Sequence, residues 1–428
     1  MSPDNQSERR AFLINALSGE CVTYGELLAR LNAVPATALT LCQPASSRDA
    51  LLQVSAAIAA GFDLVLFDRS LAASEVLALG FHPSQVNQPV LVGQSATVTR
   101  EGLHKLVTGG SHARLGLFTS GSTGLPKLVW QGVANLARAV RVSPRNEEAV
   151  WALAYSPTHV AGIQVYLQAL ANGCTLVDVF GLDRVSVLAA LERHKVTHIS
   201  ATPSFYRLLL PMDRPLAHVR SVTLGGESAD AWLLQKLAIL FPQARLHNVY
   251  ASTEAGTLLV ADGDVFAISP GLEGKVVLRD GRIHVHHSLL GEFVQTGDLP
   301  QEGAKSTKSD EWYDTGDVIE VVKAEPLRFR IVARQRDWVN VGGSKVNPHE
   351  VEAVLGEHPD VAQVRVLGRK NSVLGQILCA EVVCRNPAVT EAELRSFAAS
   401  RLQPHKIPRS IRFVDNIART RTGKVSRQ

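Results

Sequence analysis

The chain has 428 residues, 46% of them hydrophobic and 20% charged, which is typical of a globular protein with a large core and at least two domains. The formal net charge of +4 is too small to indicate nucleic-acid binding, and no apolar run predicts a membrane span. Five scattered cysteines without Cys-x-x-Cys spacing argue against a disulfide framework or a zinc site. Together with a polar start that lacks a signal-peptide pattern, they predict a cytoplasmic protein.

The first third of the chain alternates helical and strand patterns. Thr23 followed by Glu26 predicts a capped helix start, and Leu51–Ala60 predicts an alanine-rich helix that ends at Gly61. Leu64–Phe67 predicts a short buried strand. This alternation indicates an α/β layer protein.

Hydroxyl residues and glycines are concentrated in the segment TSGSTGLPK at 119–127. It follows a predicted strand, Leu115–Phe118, and precedes a predicted helix, Val133–Val140. Backbone N–H groups, hydroxyls and a lysine arranged in this way hold phosphate, although such a run alone also suits a flexible surface turn. It is not a Walker A loop, because Lys127 follows a proline and no Ser or Thr follows it. The candidate phosphate ligands are Thr119, Ser120, Gly121, Ser122, Thr123, Gly124 and Lys127.

Further candidates follow predicted strands, where α/β sheets bind their ligands. His159 comes after the apolar run Trp151–Tyr155, and the alternative is a histidine whose bonds are satisfied by the backbone at a turn. Gly225 and Gly226 end another predicted strand, and a tight strand–helix turn explains them equally well. The segment from Tyr250 offers an aromatic ring, a hydroxyl at Thr253 and a carboxylate at Glu254.

The last third begins with strands and turns over residues 257–300, which predict a small β-rich subdomain. The triplet Thr-Gly-Asp occurs twice, ending at Asp298 and at Asp317. An aspartate on such a turn suits two ribose hydroxyls. From Val351 onward the pattern predicts a small domain with helices and strands.

These motifs, in this order, resemble those of the adenylate-forming superfamily, which includes acyl- and aryl-CoA ligases, peptide-synthetase adenylation domains and firefly luciferase. The resemblance spans nearly the whole chain. It implies an α/β fold with a large multi-layer N-terminal domain at 1–335, built of α/β sheets plus a small β subdomain, and a smaller mobile α+β C-terminal domain at 336–428. It also implies that part of the usual first subdomain is trimmed.

The resemblance assigns a role to each motif. Lys424 matches the adenylation lysine, Thr253 would touch the α-phosphate, and Glu254 would ligate magnesium. For the nucleotide, Tyr250 would flank adenine, Asp317 would bind the ribose and Arg334 would contact the nucleotide. The acid would lie near His159, Gly225, Gly226 and Ala251. Arg336 falls at the hinge position, where relatives carry Asp or Lys, and Gly343 matches the loop used for thioester formation.

The implied activity is a two-step ligase that uses ATP and Mg²⁺ to join a small carboxylic acid to a thiol. CoA is the first choice of acceptor, because the segment around His159 resembles the o-succinylbenzoate–CoA ligase branch. A separate acyl carrier protein with a phosphopantetheine arm is the alternative. No aspartate near His159 is placed to bind an α-amine, which favours an acid without one. A luciferase-type oxygenase and a non-catalytic nucleotide-binding protein remain rival functions, and the sequence leaves the acid open.

Overall fold

The computed structural model describes residues 8–33, 37–91, 97–119, 127–210, 214–227, 229–294, 311–334, 337–341, 344–371, 375–419 and 425. Its α-helices are α1 Tyr24–Ala33, α2 Ser47–Ala60, α3 Ala73–Ala78, α4 Arg100–Lys105, α5 Val133–Leu136, α6 Val160–Asn172, α7 Arg184–Arg193, α8 Pro203–Leu209, α9 Ala231–Leu240, α10 Pro348–Gly356 and α11 Glu391–Ala399. None of the helices described is long and apolar enough to cross a bilayer.

The strands fall into two sets along the chain. The first set is β1 Ala11–Asn15, β2 Cys21–Thr23, β3 Thr37–Leu39, β4 Leu41–Cys42, β5 Leu64–Leu66, β6 Pro89–Leu91, β7 Arg114–Thr119, β8 Lys127–Gly132, β9 Val150–Leu153, β10 Thr175–Asp178, β11 His198–Ala201, β12 Ser221–Gly225, β13 Arg245–Ser252, β14 Gly256–Asp262, β15 Val265–Phe266, β16 Val276–Arg279, β17 Arg282–His286, β18 Glu292–Val294, β19 Trp312–Lys323 and β20 Arg328–Arg334. The second set is β21 Val339–Val341, β22 Ser344–Val346, β23 Val361–Asn371, β24 Gly375–Cys384 and β25 Ser410–Phe413.

A large sheet organises the first set, in the order β16-β17-β19-β20-β15-β14-β13-β12-β11-β9-β10-β1-β2. Its centre, from β1 through β13, is parallel, and from β14 onward the pairing is antiparallel. The β-rich region predicted after residue 257 is therefore present, but β14–β17 continue the large sheet and β18 pairs with β8 of the second sheet. In a parallel sheet the carboxyl ends of all strands meet at one edge, which is where ligands bind.

A second sheet, in the order β18-β8-β7-β5-β4, presents the segment that resembles a phosphate loop. Strands β7 and β8 pair antiparallel with Thr119 opposite Lys127. The helix predicted over Val133–Val140 is wrong in extent. Only α5 is α-helical, and a 3-10 turn follows over Ala137–Ala139. The chain leaves the helix where Arg138 turns to the carbonyls of Ala255 and Thr257.

Helix α6 ties the two sheets together. Ten of its thirteen residues are buried, and one apolar cluster joins its Ile163 to Leu153 of the large sheet and Leu115 of the second sheet. A second cluster includes residues of α7, α8 and α9 together with Ile199 and Val222 of the large sheet. Burial of this size supplies the main stabilising free energy of such layers.

Several predicted boundaries are confirmed within the N-terminal region. Helix α1 begins after Thr23, which exchanges hydrogen bonds with Glu26: the Glu26 N–H donates to Thr23 Oγ1 at 3.2 Å, and the Thr23 N–H donates to Glu26 Oε2 at 2.7 Å. Helix α2 ends at Gly61, which has φ 73°. Glycine adopts this left-handed conformation without steric cost, so it ends the helix cleanly.

The C-terminal strands β21–β25 and helices α10 and α11 form a smaller α+β unit with its own core, which includes Val351, Leu355 and Val366. Hydrogen bonds between described residues connect it to the large unit. Asn347 Nδ2 donates to the Val332 carbonyl at 3.0 Å, and the Val425 N–H donates to Glu227 Oε1 at 3.1 Å. The predicted boundary at 335/336 lies outside the described residues and stays a prediction.

Candidate active site

The open end of the β7–β8 hairpin positions the first candidate residues. Thr119 ends β7 and Lys127 begins β8, directly opposite each other. Thr119 is partly buried, whereas Lys127 is exposed. The remaining predicted phosphate ligands, Ser120, Gly121, Ser122, Thr123 and Gly124, lie outside the described residues. The structure therefore places both ends of the predicted phosphate loop at one point of the second sheet.

A buried carboxylate lies at the centre of the candidate nucleotide site. Asp317 is only 3% exposed. Tyr250 Oη donates to its Oδ2 at 2.5 Å, and Arg334 Nε donates to its Oδ1 at 3.0 Å. The strands fix this arrangement, because Asp317 of β19 pairs with Arg334 of β20. Three residues predicted to bind the nucleotide thus meet in space, although the chain separates them widely.

The electrostatics of this cluster set the charge states of Tyr250 and Arg334. Burial and the negative charge of Asp317 raise the pKa of Tyr250 well above its ordinary value, so Tyr250 stays a neutral donor. Burial alone would lower the pKa of Arg334, but the Asp317 carboxylate raises it, so Arg334 stays cationic. The Arg334 side chain keeps 41% exposure and is accessible to an anionic ligand.

The loop between β13 and β14 carries Thr253 and Glu254. A residue beyond this loop stabilises its backbone, because the Gly291 N–H donates to the Glu254 carbonyl at 2.7 Å. The charge of Glu254 contributes to the raised pKa of Arg334, which places Glu254 within electrostatic reach of the nucleotide cluster. Among the described residues, no group of three or more His, Cys, Asp or Glu side chains could hold a metal.

The residues predicted to surround the acid lie on neighbouring elements of the large sheet. Gly225 ends β12 and pairs with Val249 of β13, the strand that carries Ala251. A Cβ on Gly225 would lie 2.8 Å from Val249 Cγ2, so the close approach of the strands requires glycine. Gly226 has φ 82°, which explains the second glycine. Both glycines therefore have structural reasons to be there, beside any role in binding.

His159 is the residue before α6 and is largely buried. Among the residues that the structure describes, its Nε2 has no hydrogen-bond partner, and it lies 3.8 Å from Asp68 Oδ2. Sequence reasoning missed Asp68, although an aspartate directly after the buried strand Leu64–Phe67 is a usable signal. Burial by itself would raise the pKa of Asp68, but His159 and the hydrogen bonds from Ser70 lower it to about 2. Asp68 is thus an anion that faces the predicted acid-binding histidine.

Three further candidates, Arg336, Gly343 and Lys424, lie outside the described residues, as does the rival aspartate, Asp298. Val425, which follows Lys424 in the sequence, is described. Its N–H donates to Glu227 Oε1, and Glu227 Oε2 accepts from the Ser204 N–H at 2.9 Å. Glu227 directly follows Gly225 and Gly226, so the C-terminal segment meets the large unit beside the predicted acid-binding residues.

Comparison with known proteins agrees with this arrangement. The sequence model of the family described as AMP-binding enzyme matches residues 89–297, and that of the AMP-binding enzyme C-terminal domain matches residues 350–424. The 2-succinylbenzoate–CoA ligase of Bacillus licheniformis is 30% identical over 332 residues, which cover 73% of this chain and 68% of that protein. The chain belongs to the AMP-binding enzyme family. The resemblance found in the sequence is confirmed.

Solved structures show the same fold. The o-succinylbenzoate CoA synthetase of Bacillus subtilis, in complex with its acyl-adenylate intermediate, matches with a TM-score of 0.68 at 21% identity, over 99% of this chain and 97% of that one. A benzoate CoA ligase from Burkholderia xenovorans matches with a TM-score of 0.71 at 20% identity, over 98% and 96%. The predicted fold class, a large N-terminal and a smaller C-terminal unit, is confirmed.

Proposed function

We propose that this enzyme is an ATP-dependent carboxylic acid–CoA ligase that works through an acyl-adenylate. The observation that carries the proposal is the buried Asp317 with Tyr250 and the accessible Arg334, in a chain of the AMP-binding enzyme family. In the first step a carboxylate oxygen attacks the α-phosphorus of ATP and pyrophosphate leaves. In the second step the CoA sulfur attacks the acyl carbon, the thiol proton is released, and AMP leaves with the bonding electrons.

Asp317 would bind the ribose. Each carboxylate oxygen offers about two acceptor positions. Tyr250 takes one on Oδ2 and Arg334 takes one on Oδ1, which leaves positions for two ribose hydroxyls. The N–H groups of Arg334 that do not face Asp317 would then contact phosphate. A charged acceptor strengthens each of these hydrogen bonds, which favours a pre-formed site.

The phosphates would lie between the β7–β8 hairpin and the loop after β13. We assign phosphate contacts to Thr119, Lys127 and Thr253, together with the residues at 120–124. We assign the binding of Mg²⁺ to Glu254. When bound, Mg²⁺ would offset the negative charge that develops on the leaving pyrophosphate. Both reactants are anions, so these residues would act mainly by positioning and by charge compensation.

The acid would lie near His159, Gly225, Gly226 and Ala251, and the similarity to 2-succinylbenzoate–CoA ligases supports an aryl or acyl acid.

In the second step, the C-terminal domain at 336–428 would rotate about Arg336. This movement would withdraw Lys424 and bring in the loop of Gly343. A carrier-protein phosphopantetheine would present the same thiol as CoA. The five cysteines are free, which supports a cytoplasmic location.

The test is pyrophosphate release from ATP across aryl, fatty and amino acids, with and without CoA. Release that depends on one acid and turns over only with CoA is the expected result. A single turnover despite CoA would point to a carrier protein as acceptor. Light emission, or oxygen uptake that follows adenylation, would identify an oxygenase. ATP binding without pyrophosphate release from any acid would contradict a ligase and support a nucleotide-binding protein.

A further inference from the structure

Gln131 lies on β8, four residues after Lys127, and is fully buried. Its Nε2 donates to two consecutive backbone carbonyls, Thr253 at 2.7 Å and Glu254 at 2.8 Å. These are the two residues assigned to the α-phosphate and to Mg²⁺. The strand that leaves the predicted phosphate loop therefore also holds the backbone of the opposite loop.

The orientation of the Gln131 amide is itself fixed by its neighbours. Asn135 Nδ2 donates to Gln131 Oε1 at 2.6 Å, and Arg138 Nη1 donates to Asn135 Oδ1 at 2.8 Å. Arg138 Nη2 then donates to the carbonyls of Ala255 at 2.6 Å and Thr257 at 3.2 Å. Gln131 and Arg138 thus donate to four carbonyls where β13 turns into β14, and Asn135 links these two side chains. We call Gln131, Asn135 and Arg138 the carbonyl clamp.

The chemistry of the clamp requires an amide at position 131. Two donors must face the carbonyls of Thr253 and Glu254 while one acceptor faces Asn135, and only an amide supplies both. A glutamate at this position would place a carboxylate oxygen, which cannot donate, against the carbonyl oxygens of Thr253 and Glu254, and the two would repel each other. The close packing around Gly291 shows how little space remains, because a Cβ on it would lie 2.7 Å from Gln131 Nε2.

We propose that Gln131 is a positioning residue for MgATP. It fixes the backbone of Thr253 and Glu254 relative to Lys127, so that the phosphate contacts on both sides are placed before the nucleotide arrives. The inference rests on the proposed function, because it takes Thr253 and Glu254 as contacts of MgATP. Gln131 acts through these two residues and need not touch the nucleotide itself.

The test compares Gln131→Met with Gln164→Met. Methionine has nearly the shape of glutamine but no donors. Gln164 is a matched control because it also contacts this region, donating to the Leu136 carbonyl and accepting from Thr257 Oγ1, both at 3.1 Å, with no bond to Thr253 or Glu254 among those described. We expect Gln131→Met to raise the calorimetric Kd for MgATP about tenfold. The KM for the acid should stay within about twofold of wild type, and Gln164→Met should change both constants by less than about twofold.

Hydrogen exchange supplies a readout that does not depend on turnover. Without nucleotide, the amides of residues 253–255 should exchange faster in Gln131→Met than in wild type. In Gln164→Met, which loses a bond to Thr257 outside this window, they should not. A Kd and exchange rates equal to wild type in folded Gln131→Met would overturn the inference. So would equal losses in both variants. If Gln131→Met does not fold, Asn135→Ala replaces it. An approximately threefold weaker Kd would then support the clamp, and an unchanged Kd would refute it.

The two proposals fail differently. Wild-type enzyme that binds no MgATP would refute the proposed function and this inference with it. Wild-type enzyme that binds MgATP but releases no pyrophosphate would refute the ligase alone, because calorimetry would still measure the role of Gln131. Equal nucleotide binding by wild type and Gln131→Met would refute the inference alone.

Discussion

Replacing Asp317 with asparagine tests the assignment of the ribose site most directly. Asparagine keeps the size of the side chain but removes its charge and one of its two acceptor oxygens. Asp317 is 3% exposed and bonded to Tyr250 and Arg334, so solvent screens its charge little. Hydrogen bonds to charged groups contribute about 1.5–3 kcal/mol each. Losing the charge under two ribose hydroxyls should therefore cost about 2–3 kcal/mol of ATP binding, or a 30- to 150-fold higher Kd.

The assay is calorimetric titration with ATP and with 2′,3′-dideoxy-ATP, which lacks both ribose hydroxyls. Wild-type enzyme should prefer ATP by about the same 30- to 150-fold. Asp317→Asn should bind the two nucleotides within about threefold of each other, because the charged acceptor that distinguishes them is gone. This double comparison cancels any general weakening of the site. Asp298→Ala is the matched control and should keep the wild-type preference.

Two results would refute the reasoning. If Asp317→Asn still prefers ATP as strongly as wild type does, the ribose hydroxyls are bound elsewhere. If Asp298→Ala loses the preference instead, the ribose contact belongs to the other Thr-Gly-Asp triplet. Thermal unfolding of each variant should accompany the titration, since removing one partner from a buried pair also destabilises the fold.

Three other predictions follow from the same site and from the cores around it. Lys424→Ala should abolish pyrophosphate release yet leave thioester formation from a supplied acyl-adenylate intact, and equal loss of both half-reactions would contradict the proposed domain rotation. Asp68, whose pKa is lowered to about 2 in the fold, should contribute about 2 kcal/mol of stability above pH 4 that is lost as the pH falls toward 2. In chemical denaturation, the free energies of unfolding of wild type and Asp68→Asn should therefore converge as the pH falls from 4 to 2. A difference that stays constant over this range would contradict the stabilising role of the Asp68 charge. Glu381 is buried between Arg365 and Arg412. Replacing it with glutamine should lower the free energy of unfolding in urea by about 3 kcal/mol. A change below about 0.5 kcal/mol would show that these ion pairs contribute little to stability.

Local patterns in the sequence predicted elements whose causes are local. The exchange between Thr23 and Glu26 starts α1, and Gly61 ends α2, because capping depends on residues within one turn. The Asp317 site was predicted from a motif, and the structure adds the pairing of β19 with β20 that brings Arg334 to it.

Features that depend on distant residues were not predictable in this way. Strand β8 was not expected between the loop and α5, because the hairpin is defined by pairing with β7. Asp68 and His159 are 91 positions apart in the sequence. They meet because β5 and α6 pack in one core, and no spacing rule encodes that. The contact of Gln131 with Thr253 and Glu254 likewise joins residues over 120 positions apart.

The contact between Glu227 and Val425 offers a way to test how the C-terminal unit is held. The Val425 N–H donates to the Glu227 carboxylate, and Lys424 precedes Val425 in the chain. The cavity beside this contact is lined by residues of both units, charged ones such as Arg207 and Glu352 and apolar ones such as Trp232 and Val361. The domain rotation proposed above requires the contact of Val425 with Glu227 to form for adenylation and to break for the second step.

Replacing Glu227 should therefore affect the two half-reactions differently. Glu227→Ala removes the acceptor for the Val425 N–H, and single-turnover pyrophosphate release should slow about fivefold, because one hydrogen bond to a charged group contributes about 1 kcal/mol or more. Glu227→Gln keeps an acceptor oxygen and should restore most of that rate. Thioester formation from a supplied acyl-adenylate should not slow in either variant, since it does not need the docked arrangement. Equal slowing of both steps by Glu227→Ala, or no recovery with glutamine, would mean that Glu227 serves only the stability of the Ser204 turn, to which it is also bonded.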